Sequence, residues 1–229
     1  MFDGRFRQEI ERIVRPVGEQ LRRTKITPDH LTLVGLVVAG LAAVAISVGE
    51  LQLGLLLVVL AAIPDLLDGA LAKASNQSSQ RGAFFDSTID RVTDALLLGG
   101  VAWFLASQRG AHAAMLPFAV MAVSSLISYQ RAKAESLGLS ANGGLMERAE
   151  RIILLCAGLL FNSLLFWVMW LMLVLVTITA VQRFFKVWKQ AAIAPASAER
   201  AAQRQSRRAS RRAQRADRRL RLSRRRRVQ

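Results

Sequence analysis

Two aspartate-containing stretches, DLLDGALAK at Asp65–Lys73 and GAFFDSTID at Gly82–Asp90, border long apolar runs. Ionisable side chains at membrane depth are costly and usually face a bundle interior or a wet cavity, where they mark function. In a helix, spacings of three and four residues put both carboxylates of each stretch on one face. Four converging carboxylates would repel one another unless a cation lay between them. The pattern therefore predicts a metal site whose ligands are Asp65, Asp68, Asp86 and Asp90.

The type of ligand limits the choice of metal. Carboxylate oxygens suit hard ions, so Mg²⁺ is the first candidate, followed by Mn²⁺ and Ca²⁺. Gly69 and Gly82 have no side chain, so a bulky ligand can approach the backbone beside the ions. The regular spacing disfavours the alternative of four unrelated aspartates at helix ends.

These residues resemble the signature of the CDP-alcohol phosphotransferases: D-x2-D-G-x2-A-R, eight residues, then G-x3-D-x3-D. Residues Ala74–Arg81 supply the eight, and Lys73 stands where the family usually has arginine. Lysine keeps the charge but loses the bidentate geometry of arginine. Within the family, three blocks look like the actinobacterial phosphatidylinositol phosphate synthases: Gly82–Arg91, Ser128–Ser136 and Gly144–Arg151. In the second block those enzymes usually read Lys-Ala-Arg, whereas this chain has Arg-Ala-Lys.

The resemblance implies a phosphatidyl transfer from CDP-diacylglycerol to an alcohol, with release of CMP. Two Mg²⁺ ions are implied, one held by Asp65, Asp68 and Asp86 and the other by Asp65, Asp86 and Asp90. Asp90 would accept the proton of the attacking hydroxyl. The implied CDP-diacylglycerol contacts are Asp29, His30, Leu31, Thr32, Gly69, Lys73 and Ser79. For His30, the alternative of an interfacial side chain is favoured over a nucleotide contact.

A basic cluster is expected on the same side as the aspartates. Its members could bind the phosphate of a phosphorylated polyol through charge-assisted hydrogen bonds: Arg131, Lys133, Arg151 and Arg183. Inositol 1-phosphate is the favoured acceptor, and glycerol 3-phosphate is the alternative because it needs a phosphate pocket too. Cytoplasmic positive charge and Glu–Arg pairing within one helix could also explain these residues. Asp94 is expected to be a structural partner for a nearby cation.

The composition indicates an all-α, polytopic membrane protein, since 52% of the 229 residues are hydrophobic while the net charge is +16. Most of the apolar stretches approach the roughly 20 residues that cross a bilayer. The fifth stretch is long enough only if Met146–Arg151 belongs to its helix. The six predicted spans are Leu31–Val48, Leu51–Ala72, Ser87–Ala106, Ala113–Tyr129, Ile152–Phe161 and Leu164–Ala180.

The positions of lysine and arginine predict the orientation. The outer connections, predicted near Ser47–Gln52, Ser107–His112 and Asn162–Ser163, contain only Arg109 of the 32 basic residues. The positive-inside rule then puts both termini and the active site in the cytoplasm, with the protein in the plasma membrane.

Three regions are expected along the chain. Residues 1–26 read as an interfacial amphipathic helix, 27–188 as the membrane domain, and 189–229 as a basic, disordered cytoplasmic tail. Residues 197–229 contain 14 arginines and two acidic residues. Anionic membrane lipids are the preferred partner of this tail, and nucleic acid is disfavoured because no aromatic residues are interleaved for base stacking.

Two further functions are considered. A cation transporter would also place acidic residues in the membrane, but these gather at one mouth with no polar path to the outer side. A tether to nucleic acid would depend on the tail alone. A homodimer is an expectation that comes from the family only.

Overall fold

A computed structural model describes the backbone of residues 28–75 and 80–192 and the side chains of residues 29–63 and 80–192. Six α-helices and two short 3-10 turns make up most of this part of the chain, which contains no strand. The helices are α1 (Pro28–Ser47), α2 (Leu51–Ser75), α3 (Gln80–Arg109), α4 (Met115–Ser136), α5 (Arg148–Leu160) and α6 (residues 165–192). The all-α prediction is confirmed for these residues.

Three of the described segments are long and apolar enough to cross a membrane: Asp29–Ser47, Ala111–Ser136 and Asn162–Ala192. The prediction of a helical membrane protein is thereby confirmed at this level. In α2 the apolar part is the shorter stretch Leu51–Ile63. Helix α5 has 13 residues, so it extends over about 20 Å, less than the roughly 30 Å of a hydrocarbon core. The count of six spans stays a prediction.

Small residues bring α1 close to its neighbours. The face of α1 that contacts α2 and α3 buries Ala39, Ala42 and Ile46. A Cβ atom added at Gly100 of α3 would lie 2.5 Å from the carbonyl oxygen of Ala43. Only glycine permits this backbone contact. Small residues of this kind let α1 and α3 approach closely, as they do between helices in membranes. Packing of α1 thus fixes α3, the helix that carries the second aspartate pair.

Two helix ends differ from the predicted boundaries. Helix α5 begins at Arg148, so Met146 and Glu147 precede it and do not lengthen the fifth apolar stretch. Helix α6 continues to residue 192, well beyond the predicted end at Ala180. Between α4 and α5 the chain forms a loop, residues 137–147, in which Gly138, Gly143 and Gly144 have positive φ angles.

The turns predicted to lie outside the cell are short in the structure. At one of them, the Arg109 guanidinium lies 4.6 Å from the centre of the Phe166 ring, a cation–π contact that joins the end of α3 to the start of α6. The predicted amphipathic helix at 1–26 and most of the basic tail at 189–229 lie outside the described residues, as does the predicted cap at Thr27.

Candidate active site

Three carboxylates follow one another along a single face of α3. Asp86, Asp90 and Asp94 are spaced by four residues within Gln80–Arg109, and successive positions at this spacing lie one turn apart. All three are partly buried. Because α3 begins before the predicted Ser87, Asp86 and Asp90 both lie inside a regular helix, which fixes the direction of their side chains.

Asp90 has cationic partners in the structure. Its Oδ1 atom forms an ion pair with Nη1 of Arg148, the first residue of α5. Its Oδ2 atom lies 3.4 Å from Nη2 of the neighbouring Arg91. Only 17% of the Asp90 side chain is exposed, so its charge is little screened by solvent. The Asp90 carboxylate is thus a partly buried acceptor that attracts cations.

Asp94 pairs with two arginines from the first turn of α5. Nη2 of Arg151 donates to Oδ2 of Asp94 at 2.7 Å, and Nε of Arg148 lies 3.6 Å from Oδ1. The Arg151 residue is 6% exposed. The structure therefore shows Asp94 as the structural partner of a nearby cation, as expected from the sequence. It also shows that one of the predicted acceptor-binding residues, Arg151, is already ion-paired.

Arg183 joins three parts of the protein from the last helix. Its Nη1 atom donates to the Ile127 carbonyl at 3.1 Å and its Nη2 atom to the Gly143 carbonyl at 3.0 Å. Nη2 also lies 3.6 Å from a carboxylate oxygen of Glu147. The residue is 4% exposed. Arg183 therefore positions the loop at 137–147, and its buried Nε atom has no hydrogen-bond partner among the described residues.

Arg131 and Lys133 are exposed residues near the end of α4. Arg131 donates through Nε to Glu135 at 3.0 Å, one turn along α4. Its charge, like that of Arg151, lies within electrostatic range of Arg183. Lys133 is exposed. Arg151 and Arg183 are buried, whereas Arg131 is exposed, and the three charges act on one another.

Other side chains of α6 also bond the loop at 137–147. The Met146 amide donates to the Thr179 hydroxyl oxygen at 3.1 Å. Lys186 Nζ donates to the Asn142 carbonyl at 2.6 Å, and Gln190 Nε2 donates to the Ser140 carbonyl at 2.7 Å. Sequence reasoning missed Thr179 and Gln190. The paired glycines at 143 and 144 are the available sequence signal, since they indicate an irregular loop in need of anchoring.

The residues that open α1 are not equivalent. Asp29 occupies the first helical turn, as predicted. Thr32 is buried with 3% exposure, whereas His30 is exposed and Leu31 is partly buried. The four residues therefore differ in exposure, and their contact with a nucleotide stays a prediction.

The first half of the aspartate motif lies on the last turns of α2. Residues Asp65, Asp68, Gly69 and Lys73 fall within Leu51–Ser75, so both carboxylates belong to one helix as predicted. The side chains of residues 64–75 and the whole of Ser79 lie outside the described residues. Among the side chains that are described, no three acidic, histidine or cysteine residues form a metal cluster.

Comparison with known proteins identifies the class of protein. The family model for CDP-alcohol phosphatidyltransferases matches residues 25–181. The chain belongs to the CDP-alcohol phosphatidyltransferase family, which confirms the family and the enzyme class predicted from the aspartate motif. This range contains both motif helices and the arginines at 131, 148 and 151.

Within this family, the chain is similar to phosphatidylinositol phosphate synthases. It is 35% identical over 189 residues to the phosphatidylinositol phosphate synthase of Mycobacteroides abscessus, covering 79% of this chain and 86% of that protein. The crystal structure of the Mycobacterium tuberculosis phosphatidylinositol phosphate synthase with CDP-DAG bound superposes with a TM-score of 0.71 at 33% identity, covering 77% of this chain and 94% of that one. A structure of the same enzyme with manganese and citrate gives a TM-score of 0.71 at 32% identity, covering 76% and 88%.

Proposed function

We propose that this protein transfers the phosphatidyl group of CDP-diacylglycerol to the hydroxyl of inositol 1-phosphate and releases CMP. The proposal rests on the contact between α3, which carries the second aspartate pair, and the two arginines at the start of α5. Asp90 pairs with Arg148, and Asp94, one turn further on, pairs with Arg151. Cations suited to the acceptor phosphate thus lie beside the carboxylate proposed to activate the acceptor hydroxyl. Similarity to phosphatidylinositol phosphate synthases supports the choice of acceptor.

The metal site is proposed to hold two Mg²⁺ ions, with Mn²⁺ as a substitute. Asp65, Asp68 and Asp86 would hold one ion, and Asp65, Asp86 and Asp90 the other. The described half of this donor set fits a hard cation, because it consists of carboxylate oxygens and because Asp90 already attracts two guanidinium groups. When bound, such ions supply charge stabilisation for the pyrophosphate and the departing CMP.

The protein's own residues would then orient the reactants. Asp90 would accept the proton of the acceptor hydroxyl as the oxygen attacks the lipid-side phosphorus, and the phosphorus–oxygen bond to CMP would break. Proton transfer in this direction requires an unprotonated Asp90. The products are a phosphodiester lipid and CMP.

The two substrates would occupy neighbouring pockets. CDP-diacylglycerol is assigned to the residues proposed above from the family resemblance: Asp29, His30, Leu31, Thr32, Gly69, Lys73 and Ser79. The acceptor phosphate is assigned to Arg131, Lys133, Arg151 and Arg183. The electrostatic proximity of Arg131, Arg151 and Arg183 supports a shared anion pocket. Glycerol 3-phosphate carries the same phosphate, so this cluster does not separate the two acceptors.

The membrane arrangement completes the proposal. Six spans, a plasma-membrane location, cytoplasmic termini and a homodimer are proposed, with the acyl chains of CDP-diacylglycerol in lipid and its head group at the cytoplasmic mouth. The low basic content of the turns near Gly49, Gly110 and Asn162 supports this orientation. Membership of an enzyme family favours catalysis over cation transport.

The test is CMP release by detergent-purified protein supplied with CDP-diacylglycerol and Mg²⁺. Inositol 1-phosphate and glycerol 3-phosphate are offered separately, with a reaction lacking acceptor as control. Release only with inositol 1-phosphate is expected. Release only with glycerol 3-phosphate would keep the class of chemistry and overturn the acceptor, whereas release with neither would reject the proposed function.

A further inference from the structure

Arg148 contacts two carboxylates at once. Its Nη1 atom pairs with Asp90, and its Nε atom lies 3.6 Å from Asp94. The two aspartates are one turn apart on α3, so a small rotation of the guanidinium would shift it from one to the other. Because Asp90 is proposed to bind a metal ion and to accept a proton, a guanidinium paired with Asp90 competes with both roles.

Asp94 also holds the second arginine of the same helix turn. Arg151 donates to it at 2.7 Å, and only 7% of the Arg151 side chain is exposed. A buried guanidinium without its carboxylate is strongly unfavourable. Removal of the Asp94 charge would therefore deprive both Arg148 and Arg151 of this carboxylate, and Asp90 is the next carboxylate along the helix.

We propose that Asp94 is a positioning residue: it holds Arg151 and shares Arg148 with Asp90, and so limits how strongly Arg148 competes with a metal ion for Asp90. The inference rests on the proposed function, because it assumes that Asp90 is a metal ligand. Asp94 acts through the two arginines and need not touch either substrate.

The test measures Mn²⁺ binding to the purified protein by electron paramagnetic resonance, in the absence of both substrates. Asp94→Asn is expected to weaken Mn²⁺ binding about tenfold or more, the usual range for residues that orient a metal site. Adding Arg148→Gln to Asp94→Asn removes the competing cation and is expected to restore most of the affinity. Failure of the double variant to recover affinity would overturn the proposal.

Glu150→Gln is the matched control, because it removes one negative charge from the same turn of α5 as Arg148 and Arg151. Its Mn²⁺ affinity is expected to stay within about twofold of the unmodified protein, because among the described side chains the ion pairs of Arg148 and Arg151 are with Asp90 and Asp94 and do not include Glu150. A loss of Mn²⁺ affinity as large as that of Asp94→Asn would show that any negative charge in this region has the same electrostatic effect, and it would overturn the positioning role.

Measurements on two other variants test the inference if Asp94→Asn does not fold. Arg148→Gln alone is expected to tighten Mn²⁺ binding about threefold, and a loosening would contradict the proposed competition. In turnover, Asp94→Glu is expected to keep the KM for inositol 1-phosphate close to that of the unmodified protein, and a large rise would also contradict the proposal. A lack of CMP release by the unmodified protein would reject the proposed function and leave the Mn²⁺ result standing.

Discussion

The backbone amide of Met146 donates a hydrogen bond to the side-chain oxygen of Thr179, 33 residues further along the chain. Met146 is 3% exposed and Thr179 is fully buried. The same hydroxyl donates to the Leu175 carbonyl at 2.8 Å. One hydroxyl group is thus the acceptor for the loop amide and a donor within α6. This contact fixes the approach of the chain to Arg148, the residue that reaches Asp90.

Thr179→Val should destabilise the protein, because it leaves the buried Met146 amide without an acceptor. A cost of about 1–3 kcal/mol in the free energy of unfolding is expected, measured as a lower midpoint of thermal denaturation in detergent. Thr177→Val is the matched control, since its exposed hydroxyl donates to the Leu173 carbonyl within the same helix. Equal losses in the two variants would contradict the role of the Met146 bond.

Gly100→Ala should weaken the packing of α1 against α3. The added methyl would lie 2.5 Å from the Ala43 carbonyl, and such overpacking costs about 1–3 kcal/mol. A methyl group added at the adjacent Gly99 would meet no neighbouring atom within 4 Å, so Gly99→Ala should be neutral or gain up to about 1 kcal/mol in helix propensity. Thermal denaturation of the two variants compares them directly, and a greater loss at Gly99 would refute the close contact.

Asp90→Asn should abolish turnover while leaving the binding of CDP-diacylglycerol largely intact. An amide cannot accept the hydroxyl proton, and loss of a general base costs about 10²- to 10⁴-fold in rate. CMP release and equilibrium binding of the CDP-lipid measure the two effects separately. Thr88→Val, which removes an exposed hydroxyl that donates to the Phe84 carbonyl, is expected to retain activity. Loss of binding with retained turnover would reject the proposed role of Asp90.

Arg131→Gln and Arg183→Gln should both raise the KM for inositol 1-phosphate, but only the second should lower stability. Arg183 is buried and bonds two backbone carbonyls, so its loss leaves buried acceptors unpaired at about 1–3 kcal/mol. Arg131 is exposed, and its surface ion pair contributes about 1 kcal/mol or less. An unchanged KM in both variants would place the acceptor phosphate elsewhere.

Removal of divalent ions should stop CMP release. Chelation with EDTA is expected to abolish activity, and an excess of Mg²⁺ or Mn²⁺ over the chelator should restore it, because the proposed carboxylate ligands favour hard ions. Potassium at matched ionic strength is the control and should restore nothing. Activity that persists after exhaustive chelation would remove the basis for the four-aspartate metal site.

The helices were largely predictable from the sequence, since apolar runs of bilayer length predict them directly. The predicted stretches at Leu31–Val48 and Leu51–Ala72 correspond to α1 and α2. The end of α6 was not predictable in this way. Beyond Ala180 the helix is stabilised by polar contacts with the loop, from Arg183, Lys186 and Gln190, and these leave no apolar pattern.

The candidate site was predictable in part. A spacing of four residues predicts that Asp86, Asp90 and Asp94 share one face, and α3 confirms it. Spacing along one helix cannot show which cation of a distant helix pairs with each carboxylate. The pairing of Asp90 with Arg148 is therefore visible only in the three-dimensional structure. For the same reason the sequence gives no indication that Arg183 bonds the carbonyls of Ile127 and Gly143.

Helix α5 begins with two guanidinium groups, Arg148 and Arg151, against the single acidic residue Glu150 in its first turn. The amino end of a helix carries a partial positive charge, so cations there are unfavourable and anions favourable. The backbone of α5 therefore adds its own attraction for any negatively charged group that reaches this end. Natural or engineered chains that lose these arginines would keep part of that attraction, because it belongs to the peptide dipoles and survives changes of side chain.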